Sequence, residues 1–316
     1  MKNNLEDLAK TKIVVVCGPT ATGKSGLANA LCKRFGGQVV GADSMQIYKG
    51  LPIGTAAVTP KEAGGIPQHL VGFLPPEQSF SVANYITHAK AAINTIAAQG
   101  MLPVVSGGTG LYLSALTTGT VFTPQPPQPA LRQQLQSQLQ KLGAAAMLAQ
   151  LAQVDPAHAA TLNPADEKRI LRGLEQWHLT GKTRLQRDEA SRGEAPYNTL
   201  CIGLNYSSRQ LLYAQINARV DAMLEQGLLE EAKQVYANQN QYKTAAQAIG
   251  YKEFFAYFDS TATLQACTEK LKQATRNYAK RQLTWFRAMP NIHWLMVDEE
   301  GLEEKAAALV QNFTGQ

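Results

Sequence analysis

The segment Gly18-Pro-Thr-Ala-Thr-Gly-Lys-Ser25 lies directly behind the apolar run Ile13-Val-Val-Val-Cys17. Its spacing is G-x-x-x-x-G-K-[ST] between a predicted strand and a predicted helix, which is the context of a phosphate-binding loop. Backbone N–H groups of such a loop bind an anion, and Lys24 and the positive end of the helix dipole add to the attraction. The hydroxyl of Ser25 is suitably placed to bind Mg²⁺. The segment predicts a site for a diphosphate, a triphosphate or pyrophosphate, and leaves the reaction open.

Short apolar runs along the chain predict buried parallel strands. They are Ile13–Cys17, Gln38–Ala42, Leu102–Ser106, Leu200–Leu204 and Ile292–Val297. Helical stretches separate most of them, and this alternation is typical of an α/β fold. One helix is predicted to begin after Ser81 and to end at Gly100. Together with the phosphate loop, the pattern predicts a parallel-sheet core like that of P-loop NTPases.

The composition changes after Leu116. Thr117–Pro129 holds four prolines and is a poor candidate for regular structure. From Ala130 to about Arg192 the pattern is helical, and strand-like sequence returns only at Leu200. We therefore predict an all-helical insertion, residues 119–199, within a catalytic core formed by residues 1–118 and 200–316. A second independent domain is the alternative, and the return of strands argues against it.

Composition and charge limit the class of protein. The chain has 316 residues and a formal net charge of +6, which favours a polyanionic partner. Its four cysteines are far apart and form no C-x-x-C pair, so we expect a reducing compartment and no cysteine zinc site. Residues 1–11 lack the apolar stretch of a signal peptide, and no run of apolar residues is long enough to span a membrane. The prediction is a cytoplasmic protein with no membrane association and no evident obligate protein partner.

Three predicted loops follow the carboxyl ends of strands, where open α/β sheets bind ligands. They are the phosphate loop, Asp43-Ser-Met-Gln46, and Ser106-Gly-Gly-Thr-Gly110. We expect the loops to face one cleft. Asp43 has three interpretations: a Mg²⁺ ligand through water, a general base beside the phosphates, or only the N-cap of a helix. Thr109 is either a site residue or a helix cap.

The C-terminal third predicts a basic helix with interleaved aromatic residues. Residues 243–287 contain eight Lys/Arg and three Asp/Glu, so five of the six net positive charges lie there. Lys272, Arg276 and Lys280 recur every fourth residue and share one helix face. Tyr278 and Trp285 lie among further arginines, and such residues contact phosphates and stack on exposed bases. The alternative is a solvated basic face with the aromatic residues in the core.

Taken together, these motifs resemble one family, the bacterial tRNA dimethylallyltransferases, also called tRNA isopentenyltransferases. The resemblance covers nearly the whole chain. Beyond the phosphate loop it is carried by Asp43-Ser-Met-Gln-Ile-Tyr-Lys-Gly50 with Ile53-Gly-Thr-Ala56, Gly107-Gly-Thr-Gly-Leu-Tyr112, Lys168-Arg-Ile-Leu-Arg172 with Leu174-Glu175, Gln247-Ala-Ile-Gly-Tyr-Lys-Glu253 and Arg276-Asn-Tyr-Ala-Lys-Arg-Gln-Leu-Thr-Trp-Phe-Arg287. The phosphate loop alone is generic, whereas the other motifs in this order are specific.

The resemblance implies transfer of a dimethylallyl group from dimethylallyl diphosphate to N6 of adenosine 37, beside the tRNA anticodon, with release of diphosphate. The base must leave its stack to reach such a site. The implied roles are diphosphate binding by Arg219 and the phosphate loop with Mg²⁺, proton acceptance by Asp43, and contact with the target nucleotide by Thr109. The diphosphate-binding residues are Gly18, Pro19, Thr20, Ala21, Thr22, Gly23, Lys24 and Ser25. Nothing in the loop requires ATP, since pyrophosphate alone would satisfy it.

The resemblance also implies a set of tRNA contacts, and it gives the insertion the role of gripping the anticodon stem-loop. The implied contacts are Asp43, Ser44, Met45, Gln46, Thr109, Arg132, Lys168, Arg169, Ile170, Leu171, Arg172, Gln247, Ala248, Ile249, Gly250, Tyr251 and Lys252. The basic helix adds Arg276 and Lys280 as predicted contacts.

The chain departs from the family pattern at two places. Ala57 and Val58 stand where the family usually has a lysine, and Pro67-Gln-His-Leu-Val-Gly72 lacks the family's aspartate. We therefore assign no role to residues 57–72. Three other functions remain open: an adenylate isopentenyltransferase acting on a free nucleotide, a P-loop small-molecule kinase, and a non-enzymatic RNA-binding protein.

Overall fold

The computed structural model describes residues 10–122 and 128–315. The chain divides into two compact units, one formed by Met1–Thr117 with Ala195–Gln316 and the other by Thr118–Glu194. Within the described ranges no helix is both long enough and apolar enough to cross a membrane. All four cysteines are free and buried.

The first unit contains a six-stranded sheet. Its strands are β1 (Lys12–Cys17), β2 (Gly37–Gly41), β3 (Gln68–His69), β4 (Leu102–Gly107), β5 (Asn198–Asn205) and β6 (Ile292–Met296). The spatial order is β3-β2-β4-β1-β5-β6, and every neighbouring pair is parallel. The predicted α/β class with a parallel sheet is confirmed. Five strands lie within one or two residues of their predicted bounds, and the edge strand β3 was not predicted.

Fourteen α-helices lie in the described ranges. They are α1 (Lys24–Phe35), α2 (Pro52–Thr55), α3 (Pro60–Ala63), α4 (Val82–Ala98), α5 (Gly110–Thr118), α6 (Pro129–Val154), α7 (Pro156–Ala159), α8 (Glu167–Thr180), α9 (Arg184–Ala190), α10 (Arg209–Glu225), α11 (Leu228–Ala237), α12 (Phe255–Phe258), α13 (Leu264–Ala288) and α14 (Leu302–Thr314). Ser81 begins α4 as predicted, because its hydroxyl accepts a hydrogen bond from the Asn84 N–H while the Asn84 side chain accepts from the Ser81 N–H.

Apolar clusters stabilise the first unit, and two of them lie next to the sheet and the helices of the site. Val14, Val16 and Val104 of the sheet are fully buried and belong to a cluster that includes residues of α1 and α14. A second cluster joins Tyr251 and Phe254 to residues of α10, α11 and α13. Burial of this kind is the main stabilising contribution to a fold. The clusters fix the carboxyl edge of the sheet and the helices around it, where the candidate site residues lie.

The second unit is helical in its described part and contains α6–α9. Its core includes Leu135, Met147, Leu151 and Ile170. Helix α6 is kinked at Gly143, whose φ is 79°. The proline-rich stretch predicted to be irregular is bounded by α5, which ends at Thr118, and by α6, which begins at Pro129. Its residues 123–127 lie outside the described residues, as does most of the N-terminal stretch analysed for a signal peptide.

Candidate active site

The phosphate loop connects β1 to α1, as predicted. Gly18 has a φ of 141°, and a Cβ there would lie 2.4 Å from the carbonyl oxygen of Leu204 on β5, so only glycine fits. The buried hydroxyl of Thr22 donates to the Pro19 carbonyl at 2.9 Å. Gly23, with a φ of 74°, is the N-cap of α1. The loop therefore presents the N-terminus of α1, with its N–H groups and positive dipole end, at the carboxyl edge of the sheet.

Two cations lie close together beside this loop. The half-buried ammonium of Lys24 donates to the Pro19 carbonyl at 2.6 Å. Burial and the neighbouring Arg219 guanidinium lower the pKa of Lys24 to about 8, and Asp43 acts in the opposite direction. Burial also lowers the pKa of Arg219, while Asp43 raises it. Two like charges that repel each other in this way favour a bound anion, so the arrangement suits a diphosphate.

Asp43 and Thr109 lie on the loops that follow β2 and β4. An Asp43 carboxylate oxygen accepts from the Met45 N–H at 2.9 Å, and residues 44–47 form a turn. The interpretation of Asp43 as a helix N-cap is therefore wrong. The Thr109 hydroxyl accepts from the Ser44 N–H at 2.9 Å, and the Thr109 carbonyl accepts from the Tyr112 N–H in the first turn of α5. Thr109 thus starts a helix with its backbone and joins the two loops with its side chain.

Helix α13 adds residues to the site that we did not predict to lie there. The Gln282 side chain accepts from the Thr20 N–H at 2.9 Å and donates to the Gly108 carbonyl at 2.8 Å. Burial and the nearby Asp43 carboxylate raise the pKa of the Tyr278 hydroxyl, and Thr109 and Gln282 act in the opposite direction. Trp285 lies so close to Gly110 that a Cβ there would be 2.3 Å from its ring. The spacing of 278, 282 and 285 on one helix face is the sequence signal that could have identified them.

The basic stripe of α13 packs against α10 and does not form an open surface. The Lys272 ammonium pairs with Asp221 at 2.8 Å, and the Arg276 guanidinium donates to Asn217 at 2.7 Å. The ammonium of Lys280 lies 5.9 Å from the ring centre of Tyr213. Of the three cations only Lys280 is exposed. The alternative of a solvated basic face therefore does not describe Lys272 and Arg276, which are partly buried and paired, whereas Lys280 is exposed. An RNA contact stays a prediction for Arg276 and Lys280.

The motif at residues 247–252 is largely internal. Tyr251 is fully buried, and its hydroxyl donates to Glu231 at 2.8 Å. Glu231, which we did not predict as a site residue, accepts from the N–H groups of Ile53 and Gly54 at 3.0 and 2.7 Å. The Gln46 amide then donates to the carbonyls of Thr55 and Ala56 at 3.2 and 2.9 Å. The motif therefore supports the segment that holds Gln46, while its exposed members are Gln247 and Lys252.

The remaining predicted RNA contacts belong to the second unit. Lys168, Arg169 and Arg172 are exposed on α8, whereas Ile170 and Leu171 are buried in the core of this unit. The Arg132 and Arg172 guanidiniums both approach Glu175, at 3.3 and 2.8 Å. One side of α8 therefore packs internally and the other presents cations to solvent.

The donor set at the phosphate loop fits a magnesium ion held mainly by a substrate. Among the described residues there is no group of three or more His, Cys, Asp or Glu that could hold a metal. Mg²⁺ in phosphate sites is usually bound through one or two protein oxygens together with phosphate oxygens and water. The Ser25 hydroxyl in the first turn of α1 is an oxygen donor of this kind.

A parallel sheet that presents a phosphate loop, a cation pair and a carboxylate at one edge defines a P-loop α/β enzyme with a phosphorylated substrate. The family model IPP transferase matches residues 46–289, and the model Isopentenyl transferase matches residues 11–69. The chain belongs to the tRNA dimethylallyltransferase family and is a prenyl transferase. The family inferred from the sequence motifs is therefore confirmed.

Similar proteins match nearly the whole chain. A tRNA dimethylallyltransferase of Caldanaerobacter subterraneus subsp. tengcongensis is 43% identical, covering 91% of this chain and 92% of that protein. The Bacillus subtilis tRNA dimethylallyltransferase is 41% identical, and the match covers 97% of this chain and 98% of that protein. Among solved structures, the full-length tRNA isopentenylpyrophosphate transferase of Bacillus halodurans has a TM-score of 0.71 at 38% identity, covering 97% and 96% of the two chains. A eukaryotic dimethylallyltransferase acting on tRNA has a TM-score of 0.82 at 30% identity, covering 96% of this chain and 80% of that one.

Proposed function

We propose that this protein transfers the dimethylallyl group of dimethylallyl diphosphate to N6 of adenosine 37 in tRNA. The observation that carries the proposal is the interaction of Lys24, Arg219 and Asp43 beside the phosphate loop. The two cations and the N-terminus of α1 can bind the diphosphate leaving group. The carboxylate can accept a proton from the attacking amine. The relatives reported above are named tRNA dimethylallyltransferases, which supports tRNA as the acceptor.

The reaction balances with these groups alone. The N6 amine attacks the first carbon of the dimethylallyl group while the bond from that carbon to the diphosphate oxygen breaks. The N6 proton passes to the Asp43 carboxylate, which acts as general base. Lys24 and Arg219 stabilise the negative charge that develops on the diphosphate. Thr109, whose hydroxyl accepts from the N–H of Ser44 beside Asp43, would contact the acceptor nucleotide.

We assign the metal and the RNA surfaces as part of the same proposal. Mg²⁺ would be held by the Ser25 hydroxyl and the diphosphate, where it would neutralise phosphate charge. The exposed cations of α8 in the second unit, Lys168, Arg169 and Arg172, would contact the anticodon stem-loop. The second unit would then serve RNA recognition, and the first unit would perform the transfer.

The test is a transfer assay with purified protein, dimethylallyl diphosphate, Mg²⁺ and an unmodified tRNA. We expect mass spectrometry to find one dimethylallyl group on a single adenosine beside the anticodon. A matched tRNA in which another base replaces that adenosine should stay unmodified. Transfer to AMP but not to tRNA would show an adenylate isopentenyltransferase, and ATP turnover without prenyl transfer would show a kinase. Either result would overturn the proposal.

A further inference from the structure

The side chain of Gln282 joins the two halves of the active site. Its Oε1 accepts from the Thr20 N–H of the phosphate loop at 2.9 Å, and its Nε2 donates to the Gly108 carbonyl at 2.8 Å. Gln282 is buried, with 5% of its surface exposed. Both ends of the amide are therefore used, and the group has one orientation that satisfies them.

The Gly108 end of this contact leads to the acceptor side of the site. Thr109 follows Gly108, and its hydroxyl accepts from the Ser44 N–H next to Asp43. A Cβ at Gly108 would lie 2.3 Å from the Gln282 Nε2 and 3.7 Å from an Asp43 carboxylate oxygen. The backbone at Gly108 thus lies against the Gln282 amide on one side and near Asp43 on the other.

The Thr20 end of this contact lies in the phosphate loop. The Thr20 N–H donates to Gln282, so the Gln282 side chain holds this part of the phosphate loop in place. The site has to keep the diphosphate and the acceptor amine within reach of each other, since reacting atoms must approach to about 3–3.5 Å. A single buried amide that contacts both loops is suited to set this distance.

We propose that Gln282 is a positioning residue for the transfer, and this inference rests on the proposed function. It holds the phosphate loop and the 107–110 loop at a fixed separation, so that the bound dimethylallyl carbon lies within reach of the amine beside Asp43. Tyr278 lies one turn before Gln282 on the same face of α13. Gln282 therefore acts on the rate of transfer more than on the affinity for either substrate.

The first test uses Gln282→Met, which keeps the length of the side chain and removes both hydrogen bonds. We expect the single-turnover rate with both substrates saturating to fall by roughly 100-fold, the effect of a misplacement of about 1 Å. The dissociation constants for dimethylallyl diphosphate alone and for tRNA alone should change much less. Gln273→Met, at an exposed position of the same helix, is the matched control and should behave as the wild type.

A folded Gln282→Met protein that transfers at the wild-type rate would overturn the proposal, even if its melting temperature were lower. The wild-type protein is measured in parallel. If it transfers no dimethylallyl group, the proposed function fails, which is a different result from a variant that matches an active wild type.

Gln282→Glu provides a second test that does not depend on the first. As a carboxylate, the new group can accept from the Thr20 N–H but opposes the Gly108 carbonyl; once protonated, it can also donate to that carbonyl. It would face Asp43 and the Tyr278 hydroxyl, and the nearby negative charge favours its protonated form. We expect the rate relative to wild type to rise as the pH is lowered. A rate that stays equally far below that of the wild type at every pH would contradict the role of the amide.

Discussion

At the scale of single residues, the electrostatics of the site depend on two positive charges and one negative charge. Lys24 and Arg219 repel each other, and Asp43 offsets only part of the repulsion. Burial and this repulsion together lower the pKa of Lys24 to about 8. A bound diphosphate would supply the missing negative charge and raise that pKa again. Substrate binding and protonation of Lys24 are thus coupled.

This coupling predicts how the affinity for dimethylallyl diphosphate depends on pH. Below about pH 8 the ammonium is already present, whereas above it a proton must be taken up on binding. The affinity should therefore fall by up to about tenfold per pH unit above that value. Titration calorimetry at several pH values measures it. Lys24→Arg, which stays charged throughout, should lose this dependence, and Lys24→Ala should lose most of the affinity at every pH.

Asp43 should act on the chemical step. Asp43→Asn keeps the shape and the hydrogen bond to the Met45 N–H but removes the proton acceptor. We expect both substrates to bind and the single-turnover rate to fall by roughly 10²- to 10⁴-fold. Rapid-quench measurement with both substrates saturating is the readout. A rate within a few-fold of wild type would reduce Asp43 to a residue that stabilises the turn after β2.

At the scale of elements, α13 has two different faces with different tasks. Tyr278, Gln282 and Trp285 contact the reaction loops, whereas the stripe at 272, 276 and 280 packs against α10. The partners on α10, Tyr213, Asn217 and Asp221, have the same spacing of four residues. The two helices are therefore joined by a ladder of polar contacts, and Arg219, also on α10, is held relative to Gln282 by this pairing.

The ladder predicts different results for two neighbouring cations. Arg276→Ala should lower the stability of the protein by about 0.5–1.5 kcal/mol, because it removes the hydrogen bond to Asn217. It should leave the salt dependence of tRNA binding unchanged. Lys280→Ala should make that dependence shallower, by up to about 0.7–0.9 for each phosphate that Lys280 neutralises in the wild type. Thermal melts and binding titrations over a salt series check both. An unchanged salt slope for Lys280→Ala would show that Lys280 neutralises no phosphate.

The elements also show what a sequence can predict. The buried strands were predictable because a strand covered on both faces is a continuous apolar run. The edge strand β3, Gln68–His69, has no such run and pairs with β2 through its backbone. The spacing of Lys272, Arg276 and Lys280 predicted a shared face but not the side that faces α10. Gln282 lies within the motif at residues 276–287, but its role was missed because its partner Thr20 lies 262 residues away in the chain.

At the scale of the whole molecule, the groups proposed for the chemistry all belong to one of the two units. Lys24, Asp43, Thr109 and Arg219 lie in the unit that includes the sheet, and so does Gln282. The second unit, Thr118–Glu194, has its own apolar core and carries exposed cations on α8. A unit that holds none of the groups proposed for the chemistry but presents cations is suited to RNA recognition. Diphosphate binding and tRNA binding should therefore be separable.

Replacing the second unit by a short Gly/Ser linker tests this separation. We expect the shortened protein to bind dimethylallyl diphosphate with nearly wild-type affinity and to lose productive tRNA binding. Loop closure is no obstacle, since its entropic cost grows only slowly with length. A cooperative melt must first show that the remaining unit folds.

Lys168→Ala with Arg169→Ala in the full chain is the companion variant, because both side chains are exposed on α8 and outside the core of their unit. It should weaken tRNA binding and spare diphosphate binding. A folded deletion that still modifies tRNA at the wild-type rate would contradict this division of tasks, and with it the reason for preferring tRNA over a free nucleotide as the acceptor.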